Sequence, residues 1–181
     1  MTATTLAPVV PAGTWNLDPT HSTVGFAVKH MVVATFRSTF KSFDATLVSD
    51  EAGTRLTGTV QAESIDIADE SFKAHLGAPD FFDVANHPTL TFTSSAVRRD
   101  GDRIEVEGDL TIRGTTHRVV GTGTVTEPTE DPYGKTRVGL SLETKVDRTA
   151  YGLNWNAPLP KGGMALANEV TLTLELELIQ A

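Results

Sequence analysis

The 181-residue chain contains no cysteine. A disulfide framework, a thiolate metal site and a cysteine nucleophile are therefore excluded, and a metal would have to use histidine and carboxylates. Positive charge is scarce as well: 15 Lys and Arg stand against 23 Asp and Glu, for a net charge of -8. Binding along a phosphate backbone needs the opposite balance, so no nucleic-acid partner is expected. No apolar run approaches the ~18 to 20 residues that span a bilayer, so no stable membrane insertion is expected. Residues 1–14 lack a positive region, and Pro8 and Pro11 interrupt their apolar stretch. That does not fit a secretory signal, and the expectation is a soluble, cytoplasmic chain. Catalytic signatures are missing too: there is no G-x-S-x-G elbow, no Walker loop and no H-E-x-x-H. No catalytic residue, metal ligand or cofactor is assigned.

What the chain has in abundance is β-branched residues, with 27 Thr, 17 Val and 5 Ile, a bias toward pleated structure. The pattern agrees. Over residues 169–179, Val170, Leu172, Leu174, Leu176 and Leu178 alternate with Thr171, Thr173, Glu175 and Glu177, which is a strand apolar on one side only. Val24, Phe26 and Val28 alternate in the same way, as do Leu90 and Phe92, then Ile104, Val106, Leu110 and Ile112, and then Val138, Leu140, Leu142 and Val146. Further strands fit 13–17, 36–48, 56–62 and 118–126. Within 36–48 the apolar parity switches between Phe40 and Phe43, which predicts a bulge. Asp100-Gly101-Asp102 and Arg113-Gly114-Thr115 read as hairpin turns, so the sheet should be mostly antiparallel. Residues 66–88 break the rhythm with short helical turns, and 149–168 form a second irregular connection. The length fits one domain over residues 13–181, preceded by a flexible segment over 1–12. Eight or nine strands greasy on one face can close into a barrel or stack as a sandwich, and the pattern alone divides the two evenly.

Few positions carry chemistry. Gly121-Thr122-Gly123 lies inside a strand, where close strand packing explains it better than phosphate binding. Asp66, Asp69, Glu70, His75, Asp80, Asp83 and His87 match no metal spacing and read as helix caps and solvated loop charges. His21 follows Asp18-Pro19 and reads as a turn residue. His30 continues the row of Val24, Phe26 and Val28, either as a hydrogen-bonded core histidine or as a polar point in a greasy pocket. Phe81 and Phe82 are adjacent, and on a helical turn they cannot share one narrow direction; a cap over a barrel gives both an apolar destination.

Four blocks in order, WNLDPTHSTVGFAVKHM from Trp15, HLGAPDFFDVANHPTLTF from His75, GDLTIRGTTH from Gly108 and VDRTAYGLNWN from Val146, resemble YceI-like proteins, which are lipocalin-like and bind polyisoprenoids. The resemblance runs from Trp15 to about Leu178. Departures from the family's pattern, at Ser38, Phe72-Lys73 and Gly77, lie near the presumed lid, where a head group would be met. The resemblance implies an all-β, antiparallel eight-stranded lipocalin-like barrel capped by one or two short helices. It also implies a long-chain isoprenoid, isoprenoid quinone or fatty-acyl ligand, a homodimer, and no catalysis. Carried over by position, Phe26, Val28 and His30 line the tunnel, with Phe36, Phe81, Phe82, Phe92 and Trp155 at its mouth and walls. Two other readings compete: a barrel enzyme or haem-type cofactor binder using His30 or the His75/His87 region, and a solid-core interaction module.

Overall fold

In the computed structural model, which describes residues 8–181, the alternating runs become eleven antiparallel strands: β1 (Gly13–Leu17), β2 (Thr23–His30), β3 (Ala34–Phe40), β4 (Phe43–Asp50), β5 (Gly53–Gln61), β6 (Thr89–Asp100), β7 (Arg103–Ile112), β8 (Thr115–Val125), β9 (Thr129–Glu130), β10 (Thr136–Asp147) and β11 (Leu166–Gln180). One edge of β11 pairs with β10 from Ile179 to Glu169, and the other pairs first with β2 and then with β1, which closes the ring. β1 and β2 are a single wall interrupted by the 3-10 turn Pro19–His21, and β3 and β4 are a single wall interrupted at Lys41 and Ser42. β9 continues the wall of β8, pairing with β10 at Thr136 and Arg137. The barrel therefore has eight walls in up-and-down order and closes through the β10–β11 pairing; β3 is laddered along one edge only, with a single bridge from Phe40 to Ile65 on the other.

The interruption at Lys41 falls where the parity of Phe40 and Phe43 predicts a bulge. Its backbone groups are taken up by the segment after β5: the Lys41 amide donates to Ser64 (2.9 Å), and the Asp66 amide donates to Thr39 (2.7 Å). That segment crosses one end of the barrel and carries the α-helix α1 (Glu70–Gly77), which is capped by Asp69 accepting from the Phe72 amide at 2.7 Å. The loop between β10 and β11 crosses the same end and opens with the 3-10 turn Arg148–Tyr151. These two crossings make a lid, and the end they cover is called the mouth below.

The opposite end is solid. Trp15, Leu47, Val138, Leu140 and Leu178 are almost completely buried there in one apolar cluster. Val9 and Val10 belong to the same cluster. They are held by Ser49 Oγ donating to the Val10 carbonyl (3.0 Å) and Arg99 Nη1 donating to the Val9 carbonyl (2.8 Å). The flexible segment expected over residues 1–12 is thus corrected for Val9 and Val10, whose apolar side chains plug the barrel floor; residues 1–7 lie outside the described residues. The Gly-x-Gly in β8 is a packing feature, as its position predicts. A Cβ on Gly123 would overlap the Ser141 carbonyl oxygen of β10, so only glycine permits this strand approach.

Candidate functional site

Along β11 the inward row keeps one parity but changes environment. Leu176 and Leu178 are buried, whereas Leu174, Leu172 and Val170 are only half-buried, although all five point into the barrel. Toward the mouth, the interior is hollow. A cavity of about 470 Å³ lies beneath the lid, within the range of roughly 300–1,000 Å³ usual for small-molecule sites. A smaller void of about 140 Å³ lies deeper, between the strands. Phe40, Leu90, Ile112 and Leu172 line both, so they mark the neck where the two adjoin. The solid-core alternative holds for the closed half of the barrel and fails for the mouth half.

Of the positions singled out in the sequence, Phe26, Val28, His30, Phe36, Phe81, Phe82 and Trp155 all line the outer cavity, and Phe92 lines the inner one. The aromatic rings form two contacting rows. Phe72, Phe36, Phe26, Phe40 and Phe82 follow one another at centroid separations of 5.6 to 6.1 Å, and Phe81, His75 and Trp155 pack mutually at 5.1 to 5.6 Å. Phe81 and Phe82 do point apart, one to Trp155 and one to Phe40, yet both reach the cavity because the lid lies over the barrel. Phe92 sits where β6 bulges between Ser94 and Ala96, and its ring lies against Gly108 of β7, where a Cβ would collide with it.

His30 is not a core histidine. It is the last residue of β2, exposed at the rim, and makes no side-chain hydrogen bond among the described residues. Inward parity at a strand end leads to the opening rather than the core. His75 lines the cavity from α1, whereas His87 lies outside it, 3.9 Å from Asp83. The anticipated polar cluster is thus divided, with Asp69 as helix cap and Asp83 accepting from the Asn86 side chain at 3.1 Å. His21 Nδ1 donates to the Asp18 carboxylate at 2.9 Å in a turn, on the opposite end of the barrel. There Arg137 bridges Asp18, Asp131 and Glu177 at 2.8, 2.7 and 2.6 Å.

Two groups beneath the lid lie in the block VDRTAYGLNWN but have no role assigned from the sequence. Arg148 is 5% exposed and has no carboxylate partner among the described residues; it donates to the carbonyls of Ala167 (2.8 Å), Leu153 (2.5 Å), Trp155 (2.9 Å) and Leu166 (3.4 Å). Burial pushes its pKa down from the ordinary arginine value, but a guanidinium stays charged in proteins. It ties the lid loop to itself and to the start of β11. Tyr151 is buried in the same wall, its hydroxyl has no hydrogen-bond partner among the described residues, and burial pushes its pKa up. Arg148 carries no signal of its own, because a cation in a polar turn reads as solvent-facing, and the aromatic character of Tyr151 fits burial without revealing its unpartnered hydroxyl. Phe40, Leu153 and Leu172 complete the wall; Leu172 was visible in the β11 alternation, but its place at the neck was not.

The cavity is therefore an apolar sack with one buried cation already engaged by the protein. It offers burial and shape, with no paired acid and base or activated nucleophile aimed into it among the described residues. The chain resembles known proteins over nearly its whole length. The UPF0312 protein of Staphylococcus epidermidis is 30% identical, with 90% of this chain and 95% of that one aligned. Protein YceI of Escherichia coli O157:H7 is 31% identical over 88% of this chain and 82% of its own. Among solved structures, Burkholderia cenocepacia BcnA superposes with a TM-score of 0.75 at 25% identity, covering 89% of this chain and 98% of its own. A polyisoprenoid-binding domain from Saccharophagus degradans shares the fold, with a TM-score of 0.69 at 13% identity over 92% and 98% of the two chains. The model of the YceI-like domain matches residues 15–178, and the chain belongs to that family.

Proposed function

We propose that the protein binds a long amphiphilic lipid of isoprenoid, isoprenoid-quinone or fatty-acyl type in the barrel, and carries or sequesters it. The observation that carries this reading is the pair of adjoining apolar cavities, open under the lid and narrowing toward the barrel floor. An elongated chain fits this shape tail first, with its polar end at the rim beside His30. Affinity comes mainly from burial: at about 0.8 kcal/mol per CH₂, a dozen methylenes gross roughly 10 kcal/mol before ordering costs are subtracted. Micromolar binding corresponds to about 8 kcal/mol, so after ordering costs of several kcal/mol a chain longer than a dozen methylenes, or a head-group contact at the rim, supplies the remainder. The polyisoprenoid-binding neighbour supports the ligand class.

Solvent extraction of the purified protein followed by mass spectrometry tests the reading. The expected result is a long-chain lipid near one equivalent per chain, or uptake of added isoprenoid quinone by protein stripped of lipid. Neither retention nor uptake would sink it. A haem-type cofactor bound through His30 or His75 would instead show a Soret band.

A further inference from the structure

The rim of the cavity carries a surface feature that holding a ligand does not require. The turn between β2 and β3 presents Met31, Val32 and Val33 at 40%, 68% and 84% exposure, and Met164 of the lid loop is 47% exposed. They form one patch. The Met31 amide donates to the Ala165 carbonyl at 2.7 Å, and a Cβ on Gly163 would stand 3.7 Å from Val32 Cγ2. Phe72, also exposed, extends the patch across the mouth through its contact with Phe36. Among the described residues, five of the seven exposed large hydrophobics thus gather on this rim; Val120 and Tyr133 are the two elsewhere. Met31 and Val32 hold φ of 52° and 64°, a left-handed conformation in which a β-branched residue is rare.

Charge is sorted in the same place. Residues 24–43 and 148–168, which build the side of the rim around the β2–β3 turn and the lid loop, contain Lys29, Arg37, Lys41, Arg148 and Lys161 and no Asp or Glu, in a chain of net charge -8, whereas the segment with α1 that crosses the rest of the mouth carries Glu63, Asp66, Asp69, Glu70, Asp80 and Asp83 against Lys73. Lys41 pairs with Asp66 at 2.9 Å, and Arg148 is buried against carbonyls. Lys29, Arg37 and Lys161 have no carboxylate within ion-pair distance among the described residues. The β2–β3 tip, flanked by these unpaired cations, is the part of the rim complementary to an anionic lipid surface, with the acidic α1 segment on the other side of the mouth turned away from it. It fits a second copy poorly, because a two-fold contact through this rim would set each cation near its own copy.

We propose that this rim is a membrane-docking surface. Met31, Val32 and Val33 enter the boundary between head groups and acyl chains of an anionic bilayer, Lys29, Arg37 and Lys161 meet its head groups, and the mouth then faces the layer from which a lipid enters or leaves. The proposal rests on the lipid-binding reading for its purpose, not for its physics. Co-sedimentation of the full chain with vesicles of equal parts phosphatidylglycerol and phosphatidylcholine, against phosphatidylcholine alone, tests it. Uptake of the fluorescent fatty acid cis-parinaric acid without vesicles reports the cavity separately.

The wild type should prefer the anionic vesicles and release them at high salt. The double variants V32D/V33D and K29E/K161E should each bind them about tenfold more weakly, with parinaric acid uptake unchanged. No anionic preference in the wild type, or variants that bind as it does, would overturn the proposal. So would a wild-type dimer that V32D/V33D dissociates, with vesicles ignored by both. Uptake without vesicle binding removes the docking surface alone; vesicle binding without uptake leaves the docking surface standing and removes the cavity reading.

Discussion

Replacing Arg148 with methionine tests whether the lid is clamped as the structure shows. Methionine approaches the length of the arginine stem, so the packing loss is small and the main change is the loss of the guanidinium. Four carbonyls, of Leu153, Trp155, Leu166 and Ala167, lose a donor, three of them from bonds of 2.9 Å or less. A buried acceptor left without a partner costs about 1 to 3 kcal/mol, less where the loop relaxes toward water. Removing the cation also relieves the desolvation that depresses its pKa, which offsets part of the loss. The net expectation is about 2 to 4 kcal/mol of destabilisation. At ~2 to 4 °C per kcal/mol for a chain of this size, the melting temperature should fall by roughly 5 to 15 °C. Urea unfolding followed by circular dichroism measures the loss, and the tryptophan emission should move to the red as Trp155 is released while Trp15 stays buried. A loss below about 1 kcal/mol with unchanged emission would refute the clamp.

Tyr151→Phe deletes a buried hydroxyl that has no partner among the described residues. In lipid-free protein it should raise stability by about 1 kcal/mol; a loss of that size would mean the hydroxyl is satisfied in solution. Leu172→Trp fills the neck between the cavities, so affinity for long-chain lipids should fall about tenfold or more in a titration, with short chains affected less; equal affinity for both would show that the inner void is not used. The Asp18 carboxyl is held down at about 2, first by its hydrogen bond to His21 and then by Arg137. Because the folded value lies below the ordinary one near 4, this stabilisation is complete above about pH 4 and is lost as pH falls toward 2. Asp18→Asn should therefore be less stable than the wild type at neutral pH and lose less between pH 4 and 2, and parallel acid unfolding curves would contradict this. His21, whose pKa the same pair raises, works in the opposite direction: its contribution is present below about 6.5 and is lost as pH rises through its raised value.

The walls of the barrel were legible because one-sided burial leaves a period of two. The alternation from Val170 to Leu178, the parity switch between Phe40 and Phe43, the glycines of β8 and the cap at Asp69 each translate into a local structural need. Where the solid core ends and the cavity begins was not legible. Leu172 and Leu178 have the same chemistry and the same parity, and only the closure of the far end by Trp15, Val9 and Val10 separates a neck residue from a core residue. Arg148 was invisible for a related reason, since its partners are backbone carbonyls and no complementary side chain announces it. His30 shows the limit of parity itself. The pattern gives the direction of a side chain, but not whether the barrel is still closed at that height.

The central claim is that a lipid chain lies inside the barrel with its tail toward the closed end. Photo-crosslinking with palmitic acid bearing a diazirine near its methyl end, followed by peptide mass spectrometry, tests this most directly. The account predicts adducts on the inward residues around the neck and inner void, such as Leu90, Phe92, Leu172 and Leu174, and their loss in Leu172→Trp. Adducts confined to the outer face of the strands or to the exposed rim, unchanged by that substitution, would contradict it.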